Sequence, residues 1–193
     1  MPRIPRLFPL LLACLAPLPA ANIPRPAMEL KFKLPSGQEV ALSSYKGKVV
    51  VLEIFITTCP HCQKSTSALQ KLSKEYAGQP VEMLAVAVND NDDKILPDYI
   101  KKFGITYPMG YNMNRMAVVD FLQHPIMTRM LMPQLVFIDR DGVIQEQHGG
   151  DDQAYFGPDD DKTGFQEKSL HASLERLLNP AAAKKAPARK KTN

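Results

Sequence analysis

Cys59-Pro60-His61-Cys62 holds the residues of this 193-residue chain best suited to chemistry. On a helix, two thiols three positions apart lie one turn apart, so one sulfur can reach a disulfide made by the other. A helix start presents unpaired N–H groups and the positive end of the helix dipole, which favours a thiolate placed there. Cys59 is therefore the expected nucleophile and Cys62 the resolving cysteine, the pair alternating between dithiol and redox-active disulfide. Pro60 suits a first helical turn, where its missing N–H goes unused anyway. His61 can add positive charge beside the thiolate, favour the reduced pair and make the disulfide a better oxidant. The competing readings are a zinc half-site and a structural disulfide. Zinc demands two further ligands. Cys14 falls in a segment expected to be removed, and His124, His148 and His171 make no ligand pair by spacing. No metal and no cofactor is expected.

Two other features bear on this chemistry. Glu53 is the only charged residue in the run Val49 to Ile56 and lies six positions before Cys59. Buried beneath the cysteines, its carboxyl would hold its proton more tightly and could accept the proton of Cys62 as that thiol attacks. The alternative is a Glu directed to solvent from a strand edge. Met132-Pro133 opens the apolar run Gln134 to Ile138, and proline at a strand start needs no ladder donor. With a cis bond there, the Met132 backbone would face the cysteines and pair with an extended substrate; a trans proline at a strand start is the plainer option. Pro60, His61, Met132 and Pro133 are thus the expected substrate contacts.

The elements that must position these residues follow from periodicity. Met28 to Leu42 reads as a short hairpin around Pro35-Ser36-Gly37. Lys48 to Ile56 is a near-continuous β-branched run, as a strand buried on both faces requires. Residues 60–76 form a helix, 81–88 a second apolar strand and 98–103 a helix stopped by Gly104. A short helix spans 113–122. Leu135 to Ile138 makes a third strand, with Asp141-Gly142 turning into Val143 to Gln147. Leu170, Leu174, Leu177 and Leu178 close the domain on an amphipathic helix. Residues 151–162 read as an acidic, solvated loop. The fold class is α/β, a central mixed β-sheet flanked by helices, with a short N-terminal β-hairpin.

Composition sets the context. Hydrophobic residues at 45% and charged residues at 23% are those of a soluble globular domain. The net charge of +4 comes from the ends: Arg3 and Arg6 at one, and Lys184, Lys185, Arg189, Lys190 and Lys191 at the other. The middle offers no nucleic-acid surface. Residues 1–21 have the layout of a secretory signal peptide, with a basic start, an apolar stretch and Ala20-Ala21. Leu11-Leu12-Ala13-Cys14 also resembles a lipobox, in which Cys14 would be lipidated and anchor the protein to a membrane. Residues 27–179 are the expected domain and 180–193 a disordered basic tail. The expected location is periplasmic or otherwise extracytoplasmic, with protein thiols and disulfides as substrates and a membrane redox partner.

From about Glu29 to Leu178 the chain resembles the TlpA/ResA-like thiol–disulfide oxidoreductases, a thioredoxin-like group related to AhpC/TSA peroxiredoxins. The likeness rests on Tyr45-Lys46-Gly47-Lys48-Val49-Val50-Val51, on Cys59-Pro60-His61-Cys62, and on Met132-Pro133-Gln134-Leu135-Val136-Phe137-Ile138-Asp139-Arg140-Asp141-Gly142. The resemblance implies a thioredoxin-like fold, a cis bond at Pro133, a substrate groove between Pro133 and the cysteines, and a match between Glu53 and the buried acid of thioredoxin. The chain departs from the pattern at three places. Thr58 stands where a tryptophan usually precedes the first cysteine. Ser65 stands where many cytochrome-c-maturation reductases carry Glu. Met132 replaces the usual Thr or Val. The Pro-His pair is similar to that of periplasmic dithiol oxidases, so the direction of electron flow stays open. Two other activities compete. A thiol peroxidase would place Thr where Ile56 stands, and a non-enzymatic copper carrier would use Met113, Met116, Met127, Met130 and Met132.

Overall fold

The computed structural model describes residues 22–112, 114–125, 128–158 and 163–180. The expected signal segment with Cys14, nearly all of the basic tail, Met113 and Met127 lie outside the described residues.

The chain opens with β1 (Arg25–Pro26), then a hairpin of β2 (Lys31–Lys33) and β3 (Glu39–Ala41), and a 3-10 turn (Leu42–Tyr45). The half that carries the two cysteines follows as β4 (Val49–Phe55), α1 (Pro60–Glu75), β5 (Val81–Ala87) and α2 (Asp92–Phe103). Next come β6 (Met109–Tyr111), α3 (Arg115–Leu122), β7 (Gln134–Ile138) and β8 (Val143–His148). The last elements are the single-turn α4 (Gln153–Phe156) and α5 (Phe165–Leu178). The strands form one mixed sheet in the order β1-β8-β7-β4-β5-β6-β2-β3, parallel at β4/β5 and β5/β6 and antiparallel elsewhere.

β4 lies at the centre and every one of its seven residues is buried. Strand alternation sends Val49, Val51 and Phe55 into a core shared with α1, α2 and α5, and Val50, Leu52 and Ile54 into a second core with α3 and the hairpin. Each such aliphatic side chain contributes about 1.5–3 kcal/mol by leaving water. The same period of two puts Glu53 on the α1 side, and this is what brings a carboxyl beneath the cysteines.

The expected elements are present, with instructive differences. α2 begins at Asp92, six residues before the expected 98, and runs through Pro97, which removes one intrahelical hydrogen bond without ending the helix. Burial of Leu96 and Tyr99 holds that helix in place. The acidic stretch contains α4, whose first turn is capped by Asp152. β1 and β6 are two and three residues long, too short for any alternation to announce them. At β6, Gly110 is required by close packing: a Cβ there would lie 2.4 Å from the Lys33 carbonyl oxygen.

Candidate active site

The loop from β4 to α1 delivers Cys59 to the N-cap of α1, with Pro60 in the first turn. The Cys59 N–H donates to the Ile56 carbonyl at 3.1 Å, and the Cys59 carbonyl accepts from Gln63 N–H at 3.0 Å. Cys59 makes no side-chain cap, so its sulfur is spared for chemistry. Three further bonds pin the loop from behind. Thr57 N–H donates to Asn89 Oδ1 (2.9 Å), Gln63 Nε2 donates to the Thr57 carbonyl (2.9 Å), and Asn89 N–H donates to Asp92 Oδ2 (2.6 Å). Asp92 is itself buried, and burial pushes its carboxyl up to about 6 despite the Asn89 bond.

The two thiols differ sharply. Cys59 is partly exposed, between exposed Thr58 and Pro60, whereas Cys62 is fully buried. Both are free thiols. Burial drives the Cys62 thiol far above its ordinary range; the Ile56 carbonyl opposes this, while the Cys59 thiol and the Glu53 charge add to it. A thiol so placed holds its proton tightly. His61 is exposed on the first turn of α1.

Met132-Pro133 is cis, and the Met132 carbonyl lies 3.9 Å from Cys59 Sγ. This segment is held from the far side. Gln134 Nε2 donates to the Leu131 carbonyl (2.6 Å) and so does Gly150 N–H (3.1 Å). A Cβ on Gly150 would lie 2.3 Å from the Met132 carbonyl oxygen, so only glycine lets β8's exit loop press so closely on this backbone. Met132 also borders a cavity of about 540 Å³, lined by Ile56, Val88, Val118, Val119 and Met130 and rimmed by Asp90 and Arg115, which are ion-paired at 2.8 Å.

Glu53 is fully buried on the central strand, between Ala85 and Leu135. These apolar neighbours explain its chemistry: burial raises its carboxyl to about 8, and a hydrogen bond from Thr66 pulls the other way. Thr66 Oγ1 donates to Glu53 Oε2 at 3.0 Å and lies 3.1 Å from the Tyr99 hydroxyl. Glu53 Oε1 and the nearby Tyr107 hydroxyl have no protein partner among the described residues.

The structure thus gathers Cys59, Cys62, Glu53, Met132 and Pro133 at one end of β4, with Pro60 and His61 on the rim. Sequence reasoning missed Thr66, Tyr99, Asn89 and Gly150. Thr66 carried a usable signal, since it follows Cys62 by one helical turn on the same face. Tyr99 and Gly150 carried none, because only the folding of distant segments brings them in. Ser65 is buried and accepts a hydrogen bond from Gln166 Nε2 of α5. Of the methionines, Met116 is exposed on α3, while Met130 and Met132 line the cavity.

The Redoxin family model matches residues 19–162. The chain is 29% identical to the thioredoxin-like protein YneN of Bacillus subtilis over 127 residues, 64% of this chain and 69% of that protein. It is 25% identical to the thiol-disulfide oxidoreductase ResA of Bacillus thuringiensis over 111 residues, 58% of this chain. That match spans 60% of the ResA relative's own length. Among solved structures, a putative thiol:disulfide interchange protein DsbE from Chlorobium tepidum superposes with a TM-score of 0.60 at 20% identity, covering 78% of this chain and 96% of that one. The last likeness bears on the fold, which is thioredoxin-like.

Proposed function

Because the chain belongs to the Redoxin family and is a relative of the ResA-type thiol-disulfide oxidoreductases, we propose that it exchanges disulfides with protein thiols through Cys59 and Cys62. The observation that carries this reading is the asymmetry of the pair. A partly exposed sulfur at a helix N-cap lies 3.9 Å from the Met132 carbonyl, and a fully buried one follows one turn on.

In the reducing direction, the Cys59 thiolate attacks a partner disulfide. One partner sulfur leaves as thiolate and a mixed disulfide forms. Cys62 gives its proton to Glu53 and attacks Cys59 Sγ. The Cys59–Cys62 bond forms, the second partner sulfur leaves, and two electrons have passed to the partner. The oxidising direction is the reverse. The apolar cavity beside Met132 suits the side chains that flank a partner's cysteine, and Pro60 and His61 contact the partner from the other rim. The basic, then apolar, N-terminal sequence with Ala20-Ala21 supports an extracytoplasmic location, where a membrane dithiol partner would recycle the pair. Cys14 supplies a lipid-anchor position. No helix among the described residues is long and apolar enough to cross a membrane.

Equilibrating the protein in glutathione and dithiothreitol buffers and measuring the Cys59–Cys62 potential tests this reading. A reversible two-electron couple is expected. A value near about −270 mV makes the protein a reductant, and one near about −120 mV an oxidant driven by His61. The absence of any reversible couple would overturn the exchange function.

A further inference from the structure

Glu53 has too little help to ionise on its own, and the one group that helps it has no role yet. Thr66 has a single hydroxyl proton. When Glu53 is a carboxylate, Thr66 donates to its Oε2 at 3.0 Å, so the contact with Tyr99 at 3.1 Å runs the other way, with the tyrosine hydroxyl donating to Thr66 Oγ1. The result is a polarised chain, Tyr99 to Thr66 to Glu53, with all three side chains buried. Each bond strengthens the next in a low-dielectric interior. Tyr99 is fixed for this by ring contacts with Phe55 and Phe103, at centroid distances of 5.3 and 4.5 Å.

We propose that Thr66 is a positioning residue for thiol–disulfide exchange: with Tyr99 behind it, it stabilises the carboxylate form of Glu53 and so sets how readily Cys62 loses its proton. This rests on the reading of Glu53 as the acceptor for Cys62. The bond anchors Oε2 and leaves Oε1, which has no protein partner among the described residues, as the oxygen that receives the proton. The titratable groups facing Glu53 are Cys62 from α1, Tyr99 from α2 and Tyr107 ahead of β6. None of them is a cation, so the Thr66 hydroxyl is the main force opposing desolvation of the carboxylate.

The sign of the effect follows directly. Removing the hydroxyl raises the proton affinity of Glu53, which already titrates at about 8. Fewer molecules then hold a free acceptor at neutral pH. The test is the pH profile of the Cys62-dependent step, followed as resolution of a preformed Cys59 mixed disulfide with a chromophoric thiol. Thr66→Val should move the inflection up by about one pH unit and slow the step roughly tenfold at pH 7. Thr66→Ser should restore the wild-type profile, and Tyr99→Phe should give a smaller shift of the same sign. Glu53→Gln separates the two layers of the argument. If Glu53→Gln slows the step but Thr66→Val has the wild-type profile, the Thr66 role is overturned. If Glu53→Gln leaves the step unchanged, the acceptor reading itself fails. A matching loss of rate in Thr66→Val and Thr66→Ser with no shift of the inflection would mark a packing role and also overturn the proposal.

Discussion

Two glutamates on neighbouring parts of the sheet, Glu53 fully buried and Glu146 partly buried, have opposite chemistry. Glu53 on β4 receives one hydrogen bond, from a neutral hydroxyl, and its carboxyl rises to about 8. Glu146 on β8 is less sheltered, with a side chain 18% exposed, and burial acts on it in the same direction. But it accepts from His148 at 3.3 Å, Ser173 at 2.7 Å and two nitrogens of Arg176 at 2.9 Å, and these hold it down at about 2. Burial and the partner set, not the residue type, decide which carboxyl can carry a proton at neutral pH and which is a fixed anion tying α5 to the sheet. The Glu53 end leaves one carboxyl oxygen without a protein partner among the described residues; the Glu146 end satisfies both of its oxygens.

The largest effect that would sharpen this contrast is at the cysteines. Cys59→Ser should abolish turnover in an insulin-reduction assay, whereas Cys62→Ser should accumulate mixed disulfides with partner proteins, visible on non-reducing gels. Full activity in Cys59→Ser would break the reading of the under-partnered end as the reactive one.

Next is Glu53→Gln. In the native protein the Glu53 carboxyl keeps its proton to about 8, while the unfolded chain loses it near 4.5. The native state therefore binds a proton that the unfolded state lacks, and stability falls as pH rises from about 4.5 to about 8. Urea unfolding should show Glu53→Gln more stable than wild type by about 2–4 kcal/mol at pH 8.5 and close to it at pH 4.5. The same substitution should slow Cys62-dependent resolution about a hundredfold. Equal pH slopes in the two proteins would contradict the raised proton affinity.

The smallest expected effect on activity is at the other carboxyl. Glu146 is depressed, so its contribution is present above about 4.5 and lost as pH falls toward about 2. Glu146→Gln should cost about 1–2 kcal/mol at pH 7, modest because Arg176 is half exposed, and leave turnover unchanged. A loss of turnover without a loss of stability would mean that the two ends are coupled.

Much of this was legible in the chain itself. The β-branched run from Val49, the Cys59-Pro60-His61-Cys62 spacing and Pro133 ahead of Gln134-Leu135-Val136-Phe137-Ile138 each fix a local choice. Local choices follow from residue type and period. The alternation along β4 even puts Glu53 on the face of Val51 and Phe55. Short or context-held pieces escaped: β1 and β6 are too brief to show a pattern, and α2 passes through Pro97 because Leu96 and Tyr99 are buried on the core side.

What the sequence determined by itself was the list of reactive groups and their order along the chain, because thiol spacing and strand period are local properties. What only the tertiary structure decided was their reactivity. Glu53 is raised by burial between Ala85 and Leu135 of neighbouring strands, opposed by Thr66 of α1, and Met132 is held against Cys59 by Gly150 from the end of β8. Proton affinity in a protein interior is a property of the surroundings, and those surroundings are assembled from segments far apart in the chain.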